Sequence, residues 1–282
     1  MSEESKEIRV VKVGIVKNGN LGACPVLDLI FDERADRDDV DFRVLGSGAK
    51  LGKVQCIETM DKMLEFKPEL IIMISPNAAL PGPKEGRDKI KNIPTIVYSD
   101  MPAKKAVEEF ESKGIGYILC GADSMIGARR PFLDPVEMSL FNADLLTVLS
   151  ITGVINCIQD EIDAAITAIK TGEKPKLPKL IIDMEIAAKY AKISNPYAMA
   201  KAMAAFEIAS RVAAINVKGC FQVKEKEQYM PLLATAHEMM RVASRLAWEA
   251  REIEKVNDKV QRRPHHREGQ ILTKRGLMEK EA

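Results

Sequence analysis

VGIVKNGNLGACPVLDLIFDERADRDD occupies residues 13–39. An apolar run meets a turn holding Gly19 and Gly22, and a pattern of helical period follows from Val26. A strand, a glycine turn and a helix in that order resemble the start of a dinucleotide-binding unit. The full fingerprint needs three glycines and an acid at the end of the second strand. Here Lys17 stands where the first glycine belongs, and the second strand ends Leu45-Gly46-Ser47-Gly48 with no acid. The stretch therefore predicts a Rossmann-like unit that is not of the NAD type. Backbone N–H groups beside a helix start still suit an anion or a polar ring edge. The plainer reading is a tight turn that needs glycine for its backbone.

Moving outward, apolar runs at 8–16, 41–46, 69–75, 95–99 and 116–120 alternate with helix-like stretches at 26–35, 53–66, 83–91 and 103–113. Strands that are apolar on both faces and alternate with helices predict a parallel sheet covered on both sides. After Asp134 the pattern becomes helical, with Pro135 early in the first helix. Asn195 and Pro196 read as the N-cap and first residue of a further helix. Residues 179–184 and 217–223 read as short strands, and 231–260 as one long helix. The expected fold is α/β: an N-terminal open parallel sheet flanked by helices, then a mainly helical C-terminal part with a small β element. The expected domains are 1–130, the Rossmann-like unit, and 131–282, a helical bundle with short strands and an irregular C-terminal tail.

Bulk composition narrows the function. The formal net charge is +1 from 42 basic and 41 acidic residues, which gives no basic face for nucleic acid. Aromatics make up 5%, too few for a base-stacking surface. Cys24, Cys56, Cys120, Cys157 and Cys220 are odd in number and widely spaced, so reduced thiols in a cytoplasm are expected. MSEESKEIR does not read as a signal peptide, and no apolar run is long enough to span a membrane.

Ligands of such sheets bind beyond the carboxyl ends of the strands, so the loops there carry the functional candidates. SPNAALPGPKEGR, residues 75–87, is stiffened by Pro76, Pro81 and Pro83. Lys84 and Arg87 follow at the next helix, where they suit a phosphate or carboxylate or serve as solvated charges. Arg129 and Arg130 are candidates for an anionic tail, or for ion pairs to Asp134 or Glu137. Asn142 lies on the helix that follows. His237 and Glu238 lie in H-E-x-x-R, which lacks the second histidine of a zinc site. His265 and His266 fall in the tail, and no cluster has metal spacing. DERADRDD reads as a solvated helix end or a subunit contact.

Several blocks taken together carry a resemblance: KNGNLG, DERADRDDVDFRVLGSGAK, PNAALPGP, GARRPFLDPVEM, NPYAMAKAMAA and AHEMMR. The chain resembles the coenzyme F420-dependent methylenetetrahydromethanopterin dehydrogenases of archaea from about Val10 to its C-terminus. That resemblance implies an oxidoreductase acting on CH–NH donors. It would move a hydride reversibly between 5,10-methylenetetrahydromethanopterin and F420, giving the methenyl cation and reduced F420, in methanogenesis or its reverse. It further implies F420 as a dissociable co-substrate, no metal and no flavin, and a cytoplasmic homohexamer built as a trimer of dimers.

The cofactor carries the hard chemistry of such a reaction, so no acid–base residue is expected. The protein has to stack two rings and exclude water. Under the resemblance, Asn18, Gly19, Asn20 and Gly22, with Pro76, Asn77, Pro81, Gly82 and Pro83, cradle the rings. Lys84, Arg87, Arg129 and Arg130 meet acidic tails. Asp100, Asp134, Glu137, Asn142, His237 and Glu238 provide electrostatic or positioning contacts. The chain departs from the family pattern at Asn18, where a cysteine or similar small residue is expected, and at Ala78, where proline is expected. These departures leave a substrate-shifted or non-catalytic pterin- or deazaflavin-binding paralogue as the alternative. An NAD(P)-linked dehydrogenase is disfavoured by the missing acid.

Overall fold

The computed structural model describes residues 8–282. Most of the polar leader read as lacking a signal peptide, residues 1–7, lies outside them. Six strands form one sheet: β1 (Val11–Lys17), β2 (Val40–Gly46), β3 (Leu70–Ser75), β4 (Thr95–Ser99), β5 (Gly116–Cys120) and β6 (Lys179–Ile182). Every pairing is parallel, and the order across the sheet is β2-β1-β3-β4-β5-β6. Eight α-helices accompany it among the described residues: α1 (Lys53–Glu65), α2 (Pro81–Asp88), α3 (Val107–Ser112), α4 (Pro135–Ile151), α5 (Val154–Thr171), α6 (Met184–Ala191), α7 (Pro196–Val217) and α8 (Lys226–Val256).

Both faces of the sheet are covered at its centre, which is why β3, β4 and β5 are buried along their whole length. On one face Ile15, Ile72, Ile96 and Ile118 pack with Leu145 and Val148 of α4, Ile158 and Ile162 of α5, and Ala205 and Met240 of α7 and α8. On the other, Met73, Val97 and Leu119 pack with Phe110 of α3, and Val16 and Ile71 with Met60 and Met63 of α1. Each such buried aliphatic side chain contributes about 1.5–3 kcal/mol through removal from water. The fifth and sixth strands join across the change of character in the sequence, since β6 pairs with β5 from Tyr117↔Lys179 to Cys120↔Ile182.

Helix ends follow the side chains that satisfy them. Asp134 accepts from the Glu137 N–H at 2.7 Å and Asp183 from that of Ile186 at 2.7 Å. Asn195 accepts from Tyr197 and Ala198, one residue before the proline that opens α7. Gly153, at φ +100°, joins α4 to α5 where any side chain would collide with the Ala187 carbonyl of α6. No single helix among the described residues is long and apolar enough to cross a membrane.

Three expectations change. Residues 26–35 form turns around a short 3-10 segment, Leu29–Phe31, instead of a helix. The Asp32 carboxylate captures the N–H groups of Asp36 and Arg37, and Arg37 donates to the Phe31 carbonyl. Side chains thereby take up backbone groups that a helix would use. Residues 217–223 continue α7 as a π-helical turn, Lys218–Gln222, where Gly219 lies tight against Leu233 of α8. The long helix starts at Lys226, one turn before Pro231, and ends at Val256.

The tail is anchored as well as irregular. His265 is 1% exposed, between Glu33 and Asp163, and Arg37 joins Asp163 to Asp39. The DERADRDD run is thus engaged by this chain's own tail, through His265, the Asp38 N–H to Arg267 carbonyl bond and the Arg267–Asp38 ion pair.

Candidate active site at the carboxyl edge of the sheet

All six strands point their carboxyl ends to one edge. The chain steps from β1 outward to β2, then returns to β3 and continues to β6. Ligands of open α/β sheets bind at such a reversal, which here falls between β1 and β3. There the Asn18 N–H donates to the Ile74 carbonyl at 2.8 Å and fastens the β1 turn to the end of β3. Gly19 takes φ +81°, and a Cβ on it would lie 2.9 Å from Leu51 and 3.0 Å from Pro76. Three loops therefore meet at a residue that must be glycine. Gly22 is closed in by Leu145 of α4 and by Asp123, while Asn20 is exposed.

The Asn18 side chain is wholly buried, and neither its amide nitrogen nor its carbonyl oxygen has a protein partner. Leaving such a group unmet costs about 1–3 kcal/mol.

The β3 loop is locked from beneath. Ser99 donates to the Ser75 carbonyl at 2.6 Å and accepts from the Ala78 N–H at 3.2 Å. A proline at position 78 would lack that N–H, so alanine gives this loop a tie of its own. Pro76 is buried and Asn77 half-buried, its side chain accepting from Ala79. Pro81, Gly82 and Pro83 open α2, with Gly82 pressed on the Leu51 carbonyl.

Two buried acids stand at the ends of β4 and β5. Asp100 caps the 3-10 segment Met101–Ala106, accepting from Met101 at 2.6 Å. Burial, and then the charge of Asp123, push its carboxyl up to about 7 against the backbone donor Met101. Asp123, with no exposure, accepts from the N–H groups of Gly22 and Ala23 and from the Tyr98 hydroxyl. Burial pushes it up to about 6 despite these donors. Sequence reading missed Asp123 and Tyr98; the one signal was a lone acid in the run of small residues CGAD after β5.

The remaining candidates are dispersed. Arg87 is buried and committed internally, donating to the Ala78 carbonyl at 3.0 Å, pairing with Glu109 and stacking on Phe110. Lys84 pairs with Asp88. Arg129 makes neither expected ion pair; it donates to the Val223 carbonyl and lies 4.3 Å over the Tyr229 ring. Arg130 is exposed. Asp134 is spent as a helix cap. Glu137 instead meets His237, whose Nδ1 lies 2.6 Å from its Oε1. His237 is enclosed by Phe132 and Phe141, and burial lowers its pKa despite Glu137. Asn142 is half-buried on α4, and Glu238 points to solvent beside Arg241. Among the described residues, no group of three His, Cys, Asp or Glu side chains converges on a metal position.

The fold is an open α/β one whose strand order reverses between β1 and β3, with the β1 turn, the β3 loop and the buried Asp100 and Asp123 gathered at the carboxyl edge. The chain belongs to the methylene-5,6,7,8-tetrahydromethanopterin dehydrogenase family, which it matches over residues 11–282. It is 54% identical over 271 residues to the F420-dependent methylenetetrahydromethanopterin dehydrogenase of Archaeoglobus fulgidus, covering 96% of this chain and 99% of that one. The enzyme of that name from Methanocaldococcus jannaschii is 52% identical over 274 residues, with the same coverage. A solved structure of F420-dependent methylene-tetrahydromethanopterin dehydrogenase, in complex with methylene-tetrahydromethanopterin and coenzyme F420, superposes with a TM-score of 0.94. It is 45% identical and covers 97% of this chain and all of its own.

Proposed function

We propose that this chain catalyses reversible hydride transfer between 5,10-methylenetetrahydromethanopterin and oxidised coenzyme F420, giving the 5,10-methenyl cation and reduced F420. Family membership supports the reaction. The observation that supports its location is the meeting of the β1 turn, the β3 loop and two buried acids at the strand-order reversal. F420 supplies the hydride-accepting ring when bound. The buried, unpartnered amide of Asn18 fits a planar heterocycle with donors and acceptors on its rim.

The chain's own contribution is positioning and field. Backbone groups of residues 18–22 and 76–80 hold ring edges on a rigid floor. Leu51, Pro76 and Leu145 keep water out, which strengthens nearby charges. Asp100, half ionised near pH 7, places negative charge on the edge where the pterin becomes a cation. Arg130, with Arg129 behind it, attracts the acidic tails of the substrates. Arg87 is buried and paired with Glu109, and Lys84 pairs with Asp88 at the surface, so both are left out of this assignment.

The enzyme acts in the cytoplasm as a homo-oligomer, a hexamer built as a trimer of dimers. The exposed apolar side chains Val136, Leu140 and Phe221 favour burial against further copies. The test mixes protein, F420 and methylenetetrahydromethanopterin anaerobically and follows the oxidised-F420 absorbance. Loss of the band at enzymatic rates is expected. Binding of both without loss would favour a non-catalytic paralogue.

A further inference from the structure

Asp123 is an unusual group for the carboxyl edge of a sheet. It is a carboxyl with no exposure, and three donors from two distant parts of the chain converge on it. Its Oδ1 accepts from the Gly22 N–H at 2.8 Å, and its Oδ2 from the Ala23 N–H at 3.2 Å and the Tyr98 hydroxyl at 2.8 Å. These donors belong to the β1 turn and to β4, while Asp123 follows β5. One side chain thus ties the turn that follows the first strand to the far side of the sheet, across β3. Gly22 packs against it so closely that an added Cβ would lie 2.9 Å from Oδ1.

We propose that Asp123 is the positioning residue of the site, holding the β1 turn through Gly22 and Ala23 in the shape that receives the planar substrates. The inference rests on the hydride-transfer reading. It assigns Asp123 no contact with substrate; the residue acts through the turn. An ionised carboxylate accepts all three bonds at once, whereas a protonated one gives up part of that capacity. The groups acting on Asp123 are Tyr98, Gly22 and Ala23. Those acting on Asp100 are Met101, Met125 and Asp123 itself, and neither set contains a cation. The neutral thiols Cys24 and Cys120 complete the surroundings; burial, and secondarily Asp123, hold both above the usual thiol range.

The experiment compares wild type, Asp123→Asn and Tyr98→Phe in steady-state F420 reduction across pH. It adds amide hydrogen exchange at Gly22 and Ala23. Asp123→Asn should lower kcat roughly tenfold or more with little change in KM, because small misplacements of reacting groups are costly. It should also move the acid limb of the profile to lower pH, since Asp100 loses a negative neighbour. Tyr98→Phe should move that limb the same way but by less, because Asp123, short of a donor that favours its charged form, stays neutral to a higher pH and acts less on Asp100. Exchange at Gly22 and Ala23 should quicken in Asp123→Asn. A folded Asp123→Asn with wild-type kcat and limb overturns the proposal, as does lost activity with both limbs unmoved, which would mark a purely structural tie. If Asp123→Asn does not fold, the Tyr98→Phe limb decides. If wild type itself does not reduce F420, the functional reading fails. Exchange then still judges the tie, and unchanged protection in Asp123→Asn overturns it.

Discussion

His265 Nε2 lies 2.7 Å from Asp163 Oδ2, joining the C-terminal tail to α5 in a position 1% exposed. Its other nitrogen meets Glu33 at 2.9 Å. Burial opposes the imidazolium, but Asp163 and Glu33 outweigh it and hold the pKa above 6.5. A group whose folded pKa is raised gives stability that is complete below its unfolded value and is lost as pH rises through the folded one. His265→Ala should therefore cost about 3–5 kcal/mol at pH 6, as expected when one partner of a buried charged cluster is removed. The gap should narrow by pH 9. Melting curves of both proteins at the two pH values check this; a gap that widens toward pH 9 would refute the charged clasp.

Asp100→Asn should stabilise the protein at pH 8. The wild-type carboxyl is pushed up to about 7, mainly by burial, so its ionised form is penalised in the fold. By linkage that penalty is complete above the folded value and fades as pH falls toward the ordinary 3.8. An asparagine still caps the Met101 N–H. The expected gain is on the order of a few kcal/mol at pH 8, shrinking below pH 6, with F420 reduction impaired. Thermal melts against pH together with turnover read both effects.

Gly19→Ala should damage both fold and activity. At φ +81° a side chain costs about 1–2 kcal/mol from backbone strain alone. The added Cβ also presses on Leu51 and Pro76, where the three loops meet. A lowered melting temperature with at least tenfold lower kcat is expected. Wild-type kcat would remove this turn from the site.

Asn18→Ala separates stability from function. Its carboxamide makes no protein bond, so losing it should change the melting temperature little or raise it. Turnover should nevertheless fall, or KM for one substrate rise about tenfold. Unchanged kinetics would mean that the amide meets no ligand.

Arg130→Ala should raise KM about three- to tenfold for the substrate whose acidic tail it meets, with kcat unchanged, the signature of uniform binding. The side chain is exposed, so stability should not move. Titrations at low and high salt would sharpen the assignment, because screening weakens exposed charge contacts.

The sheet was legible because its strands leave little choice. Every residue of Thr95–Ser99 and Gly116–Cys120 is buried, so both read as uninterrupted strand-length apolar runs between polar loops. Asparagine at 195 acts within a few residues of itself, so it is legible from local spacing. Residues 26–35 depart from their periodicity where Arg37 takes the Phe31 carbonyl and Asp32 captures the N–H groups just beyond the stretch. Asp123 escaped notice because what distinguishes it is Tyr98, distant in sequence, folded onto it. His265 looked like part of a loose tail for the same reason, since its partners are Glu33 and Asp163. Arg87 shows the converse error: a cation at a loop was read as free when Ala78, Glu109 and Phe110 enclose it.

The place of β6 beside β5 has a consequence for biosynthesis. When β5 leaves the ribosome its outer edge has no neighbour, and residues 121–178 must be made before Lys179–Ile182 arrives. At common elongation rates of ~5–20 residues per second, that interval is roughly three to twelve seconds. A nascent chain thus carries an open, apolar strand edge through the synthesis of α4 and α5, which is the kind of surface that recruits other chains. Slow translation across this segment would lengthen the exposure. The yield of folded protein should therefore depend on how quickly, and under what chaperone cover, these helices are delivered.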